Sequence, residues 1–183
     1  MSNLPPVLLG IQVLLYFYPH LNLGHRPGRW AEEWREQSRR LLDQLSAVPQ
    51  LEVFVAQASL DYVIDFVKST SGSELAERFT ASLNTKRLNV LTGRSHPVSP
   101  NNIHVHELKL ALEHGLSVIT HERSEYLIPT DGSEVLGKCT VVQTVDQFLA
   151  WLEWVEVEVQ PVEPATSKSG TGLSNGDSQR DRT

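Results

Sequence analysis

Short apolar runs alternate with longer stretches in which apolar and polar residues recur at helical spacing. Amphipathic helices are predicted at 29–48, 58–67, from the S-x-x-E capping-box sequence at 71–74 onward, at 99–115 and at 145–154. The apolar runs are short, as expected of strands buried on both faces, and lie at residues 7–9, 51–56, 88–91, 116–120 and 139–143. This alternation predicts an α/β fold, a three-layer α/β/α arrangement with a central parallel five-stranded sheet.

The last part of the chain changes character after the final predicted helix. Residues 155–159 alternate valine with glutamate, which is also typical of a strand, so the end of that helix stays open. Residues 161–183 are rich in Ser, Thr, Gly and Pro and contain almost no large apolar side chains. Burial there cannot offset the entropy of ordering, so we expect one domain over residues 1–160 and a disordered tail over residues 161–183.

Composition narrows the cellular setting. The chain has 183 residues, 40% of them hydrophobic, and a single cysteine, so neither a disulfide framework nor a thiolate zinc site is expected. The most apolar stretch, residues 4–18, is interrupted by Gly10 and Gln12 and is shorter than the roughly 20 residues of a membrane-spanning helix. We expect a cytoplasmic protein without a membrane partner.

The charge balance bears on nucleic-acid binding. The net charge is −6, and the tail carries equal numbers of acidic and basic side chains, so the predicted domain holds all of the excess negative charge. A broad phosphate-binding surface is therefore not expected, because affinity for nucleic acid depends largely on Lys and Arg. The arginines of the 29–48 helix lie among acids, which favours a salt-bridged helix face over a phosphate site.

Three segments, in order, resemble the PIN domain family, a compact α/β fold whose active members cut RNA with Mg²⁺ or Mn²⁺ held by carboxylates. Residues 7–16 (VLLGIQVLLY) are similar to the family's "LLDTNVLLY" opening, with Gly10 in place of the first aspartate. Residues 111–122 (ALEHGLSVITHE) are similar to its "A-x-x-x-G-x-x-L-V-T-x-D" element, and residues 142–152 (VQTVDQFLAWL) to its closing strand and helix. The resemblance implies a parallel sheet with the first strand in the centre and the site beside the carboxyl ends of the strands.

The same resemblance assigns the site residues. Gly10 offers no ligand, and Gln12 offers one neutral oxygen. The second family acid falls near Asp61. His104 stands at the place of the third acid, and Glu107, one turn later, is a partial substitute. The fourth acid is matched in type by Glu122.

Two functional hypotheses follow from this resemblance. The first is a PIN-like protein with a degraded metal site and little or no nuclease activity, which acts as a binding or interaction module for RNA or a protein. The second is a divergent metal-dependent endoribonuclease, similar to the toxins of toxin–antitoxin pairs, in which Asp61, Glu107 and Glu122 are catalytic and Asp61, Glu122 and Gln12 hold Mg²⁺ or Mn²⁺. The family also implies a possible homodimer. A different five-stranded α/β fold is the remaining alternative, and strand order decides it.

Two weaker hypotheses concern a metal site formed by histidines and a partner surface formed by tryptophans. Imidazoles and carboxylates that suit Zn²⁺ or Mn²⁺ occur at His104, His106, Glu107, His114, His121 and Glu122. His104 and His106 face apart on a helix, however, so surface or capping histidines are favoured. The four tryptophans, at helical spacing, are expected to pack into the core rather than to form an exposed partner surface.

Overall fold

The computed structural model describes residues 4–19, 29–93, 102–126 and 142–159. The predicted tail from 161 onward, residues 20–28 and the cysteine at 139 lie outside these ranges. Among the described residues, no helix has both the length and the apolar composition needed to cross a membrane.

The fold is α/β, with five parallel strands in one sheet. The strands are β1 (Val7–Leu9), β2 (Val53–Ala56), β3 (Leu88–Leu91), β4 (Ser117–Thr120) and β5 (Val142–Thr144). Their order across the sheet is β3-β2-β1-β4-β5, which places the first strand in the centre. The predicted fold class is therefore confirmed, and the central position of the first strand is the one that the PIN resemblance implies.

Six helices accompany the strands in the described ranges. They are α1 (Ile11–Phe17), α2 (Arg29–Ala47), α3 (Gln57–Ser71), α4 (Ser73–Asn84), α5 (Ile103–His114) and α6 (Val145–Val159). A short 3-10 helix, Arg123–Tyr126, follows β4. Helix α6 continues through Val159, so the alternating residues 155–159 extend the helix instead of forming a strand.

The sheet divides the core into two parts. Val7 and Leu9 of β1 belong to the larger cluster, which also contains buried side chains of α1, α2, α3, α4 and α6. Leu8 points the opposite way and packs with Val118, Ala111 of α5 and Tyr126 of the 3-10 helix. Successive residues of a strand face opposite sides, so both faces of the central strand are covered, as its apolar sequence predicts.

Of two helix ends that the sequence predicted, one is confirmed and one is wrong. The predicted capping box at 71–74 is wrong, because Ser71 is the last residue of α3 and Gly72, with φ +91°, precedes α4 without a side-chain cap. Gly115 ends α5 with φ 65° and ψ 35°, the left-handed conformation that glycine adopts without strain, so that helix end is confirmed. Helix α5 begins at Ile103 after Asn102, and Ser99 and Pro100 lie outside the described residues.

Candidate functional site

The strand order locates a crevice at the carboxyl edge of the sheet. The order of connection reverses between β1 and β4, and open parallel sheets bind their ligands outside the carboxyl ends of strands at such a point. Gly10 directly follows β1, and His121 and Glu122 directly follow β4. The position that the family resemblance assigned to the first metal ligand therefore lies at the edge of the sheet where a site is expected.

Position 10 requires glycine because the Tyr126 side chain and the Ile119 backbone approach it closely, and not because of its dihedral angles. Its φ of −71° and ψ of 157° are open to any residue. A Cβ atom at this position, however, would lie 2.3 Å from the hydroxyl of Tyr126 and 3.2 Å from the carbonyl oxygen of Ile119. The Gly10 N–H donates to that same carbonyl at 2.8 Å, which fixes the backbone in place. The tyrosine hydroxyl thus occupies the space that the side chain of an aspartate would enter.

Glu107 is the acid at the centre of this cluster. It is fully buried on α5, and its two oxygens accept hydrogen bonds of 2.5 Å from the hydroxyls of Ser59 and Tyr126. Nδ1 of His104 lies 3.7 Å from Oε2 of Glu107, and the imidazole meets the Tyr126 ring edge-on at 5.0 Å. The network joins α3, α5 and the 3-10 helix beneath the end of β1. We call Gly10, Ser59, His104, Glu107 and Tyr126 the carboxylate cluster.

Gln12 is engaged in a second set of hydrogen bonds. Its Oε1 accepts from the Thr120 hydroxyl at 3.1 Å and from the Glu122 N–H at 2.9 Å, and its side chain is nearly buried. These bonds tie α1 to the end of β4. The amide oxygen that the sequence offered as a neutral metal ligand is therefore already bound by two protein donors.

The other two predicted acids lie at the surface. Asp61 on α3 is exposed and accepts from Nε2 of Gln57, one turn earlier, at 2.7 Å. Glu122 is exposed and accepts from the Ser124 hydroxyl at 2.7 Å. The structure thus gathers Gly10, His104 and Glu107 in one cluster, while Gln12, Asp61 and Glu122 bond elsewhere.

This donor set does not fit a Mg²⁺ or Mn²⁺ ion. Mg²⁺ is usually held by one or two carboxylates together with waters in octahedral geometry. Both oxygens of the buried carboxylate already accept hydrogen bonds from hydroxyls, and the space next to Gly10 is filled. Across the described residues, no group of three or more His, Cys, Asp or Glu side chains has an arrangement that could hold a metal ion. The zinc-type histidine set is likewise not assembled there.

Sequence reasoning missed the role of His121. This residue follows β4 and is only 7% exposed, although a surface or capping position was expected. Its ring stacks on Trp34 with 5.1 Å between centroids, meets Tyr16 edge-on at 5.3 Å, and bonds through Nε2 to the Ser38 hydroxyl at 2.7 Å. Burial lowers the pKa of His121 from 6.5 to about 4, against a smaller opposing effect of Asp146, so the ring is neutral near pH 7.

Ser59 and Tyr126 were also missed, for different reasons. Ser59 lies two residues before the predicted acid Asp61, so a small shift of the motif along α3 would have found it. Tyr126 lies on a 3-10 helix, and no motif in the sequence connects it with Gly10, 116 positions earlier. Only the path of the chain after β4 brings the two together.

The buried hydrogen bond from Ser59 to Glu107 is expected to contribute much more to the free energy of unfolding than an exposed hydrogen bond of the same kind. Ser59→Ala should lower the free energy of unfolding by about 2 kcal/mol, because it leaves a buried carboxylate oxygen without a donor. Ser124→Ala removes a similar bond to Glu122 at the surface and should cost less than about 0.5 kcal/mol. Urea denaturation of both variants measures this difference, and equal costs would contradict the assigned burial of the cluster.

Comparisons with known proteins give little further information. No protein-family model matches the sequence, and no curated protein matches it either. The crystal structure of VapBC2 from Rickettsia felis, bound to a DNA fragment from the VapBC2 promoter, matches this chain with a TM-score of 0.45 and 11% sequence identity. That match covers 76% of this chain and 98% of the other chain. We draw nothing about the site of this protein from it.

Proposed function

We propose that this chain is a PIN-like protein that has little or no metal-dependent nuclease activity and acts as a binding or interaction module. The proposal rests on the sequence resemblance, on the central position of β1 and on the chemistry at Gly10. The single observation that carries it is the Tyr126 hydroxyl, which fills the space where the first metal-binding carboxylate would lie and binds Glu107.

The physical argument concerns what a nuclease metal must do. Such an ion lowers the pKa of the attacking water and stabilises negative charge on the phosphate and the leaving oxygen. It needs carboxylates whose oxygens face the substrate side. Glu107 is instead fully buried, and each of its oxygens already accepts a hydrogen bond from a hydroxyl. The two exposed acids are hydrogen-bonded to neighbours on their own segments. We therefore derive no cleavage step for this site.

The test is a cleavage and binding assay on the full chain. We expect a mixed-sequence single-stranded RNA to remain intact in Mg²⁺ or Mn²⁺, and we expect no heat of Mn²⁺ binding by calorimetry. Gly10→Asp should not create Mn²⁺ binding, because the new side chain meets the Tyr126 hydroxyl instead of a free coordination site.

Two outcomes of these assays would contradict the proposal. Metal-dependent cleavage that is lost in Asp61→Ala or Glu122→Ala would establish the ribonuclease hypothesis and refute ours. Both residues are exposed, so these variants are expected to fold. A gain of Mn²⁺ binding in Gly10→Asp would also count against the proposal, because it would mean that the remaining ligands are in place.

A further inference from the structure

Helix α6 carries a row of residues that is apolar in the middle and acidic at both ends. The core side of the helix is formed by Val145, Phe148, Leu149 and Leu152. On the opposite side, positions four residues apart form one continuous row along the helix, which consists of Asp146, Ala150, Trp154 and Glu158. We call these four residues the α6 ridge.

The middle of the ridge is exposed, so the expectation that the tryptophans pack into the core is wrong for two of them. Trp154 is 61% exposed, Ala150 is also exposed, and Trp30 of α2 is 67% exposed. Trp151, beside the ridge, is half-buried and stacks on Phe148 with 5.2 Å between ring centroids. An indole buries on the order of 150–250 Å² when it is covered, so most of the favourable transfer free energy of Trp154 is not gained in the chain alone. Tryptophan is also enriched among the residues that dominate binding at interfaces.

The acids of the ridge give it a negative charge that its surroundings do not cancel. Asp146 is exposed and forms no salt bridge with another described residue. The cation of α2 that reaches α6 is Arg40, and it is bound to Glu153, which lies outside the ridge. The chain as a whole carries −6. An occupant with positive charge at both ends and apolar side chains between them is therefore complementary to the ridge.

The same acids disfavour two other occupants. A nucleic acid would bring its phosphates towards Asp146 and Glu158, and like charges repel. Two copies of the ridge that pack antiparallel would set Asp146 of one copy against Glu158 of the second copy, and a parallel pair would set each acid against its own counterpart. A cationic partner avoids this repulsion in every orientation.

A helix is the partner shape that fits a row of this kind. Ridges of residues four positions apart pack into the matching grooves of a second helix. Glu158 follows Asp146 by three steps of four residues, which is about 18 Å along the helix axis. A partner helix with Lys or Arg at two positions about 18 Å apart, and with apolar residues between them, matches both acids and the apolar middle at once.

We propose that the α6 ridge is a docking surface for a basic amphipathic helix of another protein, whose apolar residues cover Trp154 and whose cations pair with the two acids. Burial of the indole supplies most of the affinity, and the charges set orientation and association rate, because exposed ion pairs contribute little free energy. One side of one helix is smaller than a standard interface of roughly 1,200 Å², so the complex is transient. The inference is independent of the proposed function, because neither metal binding nor cleavage involves α6.

The test is a fluorescence anisotropy titration of a labelled synthetic peptide with the full chain. The peptide has roughly 16 residues, long enough as a helix to reach both acids, with leucine on one face and lysine and alanine elsewhere. Its control peptide has glutamate in place of every lysine. We expect the lysine peptide to bind at least 10-fold more tightly than the glutamate peptide, and we expect added salt to weaken its binding.

Two pairs of variants at exposed positions assign the binding to the ridge. Trp154→Ala should weaken binding of the lysine peptide at least 10-fold, whereas Trp30→Ala should change it by less than about 2-fold. Trp30 is the matched control because it is similarly exposed but lies on α2, about 15 Å along that helix from Arg40, which touches α6. Asp146→Asn should weaken binding about 3-fold. Asp65→Asn makes the same change in net charge on α3 and should leave binding unchanged.

Three results would overturn the proposal. The first is a lysine peptide that does not bind, or that binds Trp154→Ala as tightly as the wild type. The second is equal weakening by Asp146→Asn and Asp65→Asn, because it would indicate attraction to the whole negative chain. The third is a labelled single-stranded RNA that binds through Trp154, or self-association through Trp154 in sedimentation velocity without peptide, since each identifies a different occupant. RNA cleavage and Mn²⁺ binding are measured separately, so the proposed function stands or falls without these results.

Discussion

Gly10→Ala is expected to lower the free energy of unfolding by about 2–3 kcal/mol, the cost of forcing a methyl group into a filled core. The new Cβ atom would lie 2.3 Å from the Tyr126 hydroxyl. That hydroxyl donates a hydrogen bond to Glu107, and the Tyr126 side chain is only 2% exposed. The Ile119 carbonyl oxygen lies 3.2 Å away on the other side, so relieving the contact requires the hydroxyl to give up its position beside Glu107. Urea denaturation measures the change.

A double-mutant cycle assigns that cost to the hydroxyl. Tyr126→Phe is destabilising by itself, because Glu107 loses a donor. In this background Gly10→Ala should cost only about 1 kcal/mol, since the nearest remaining ring atom is Cζ at 3.3 Å and can shift slightly. Gly115→Ala serves as the control, because its cost comes from a φ of +65° with no atom nearby and should be the same in both backgrounds. Additive costs for Gly10→Ala and Tyr126→Phe would refute the assigned contact.

Acidification is expected to destabilise the protein through His121 by up to about 3 kcal/mol. Burial lowers its pKa in the folded state from 6.5 to about 4, so the folded protein favours the neutral ring. The stability that comes from keeping His121 neutral is fully present above pH 6.5. It is lost progressively as the pH falls towards 4, because in this range the unfolded chain binds the proton on His121 and the folded protein does not. At pH 5 the loss should be about 2 kcal/mol.

The measurement compares the wild type with His121→Asn at pH 7 and pH 5. The variant cannot titrate in this range, so its stability should fall by about 2 kcal/mol less than that of the wild type between the two pH values. Other groups titrate equally in both proteins and cancel in the difference. Trp34, which stacks on His121, offers a second readout, because protonation of the ring changes the surroundings of the indole. Parallel pH profiles for the two proteins would show that His121 is not buried as neutral imidazole.

The elements were largely predictable because their signals are local. Buried parallel strands are short apolar runs, and the helices between them show apolar residues at helical spacing. The end of α5 at Gly115 was predictable because a left-handed residue is needed there and glycine supplies it. The capping box at 71–74 failed because Ser71 ends α3 and leaves no room for a cap before α4. Local patterns could not distinguish these two uses of the same serine.

The candidate site was predictable in part. Gly10, His104 and Glu107 were singled out from the resemblance, and they lie together. Asp61 was placed in the site by counting along α3, but the residue of that helix that faces Glu107 is Ser59, two positions earlier. Two positions on a helix correspond to more than half a turn, so a small error in alignment exchanges a buried position for an exposed one.

The sequence by itself determined the α/β class and the absence of a side chain at the end of β1. It also determined the alternation of strands and helices along the chain, which is typical of a parallel sheet. Only the tertiary structure decided what occupies that place. Tyr126 reaches Gly10 from a 3-10 helix beyond β4, and the buried carboxylate, the phenol and the glycine depend on one another through contacts between distant segments. Periodicity records which face of an element is buried, because burial repeats along the chain. It does not record which side chain fills a particular space, because that depends on how separate elements meet.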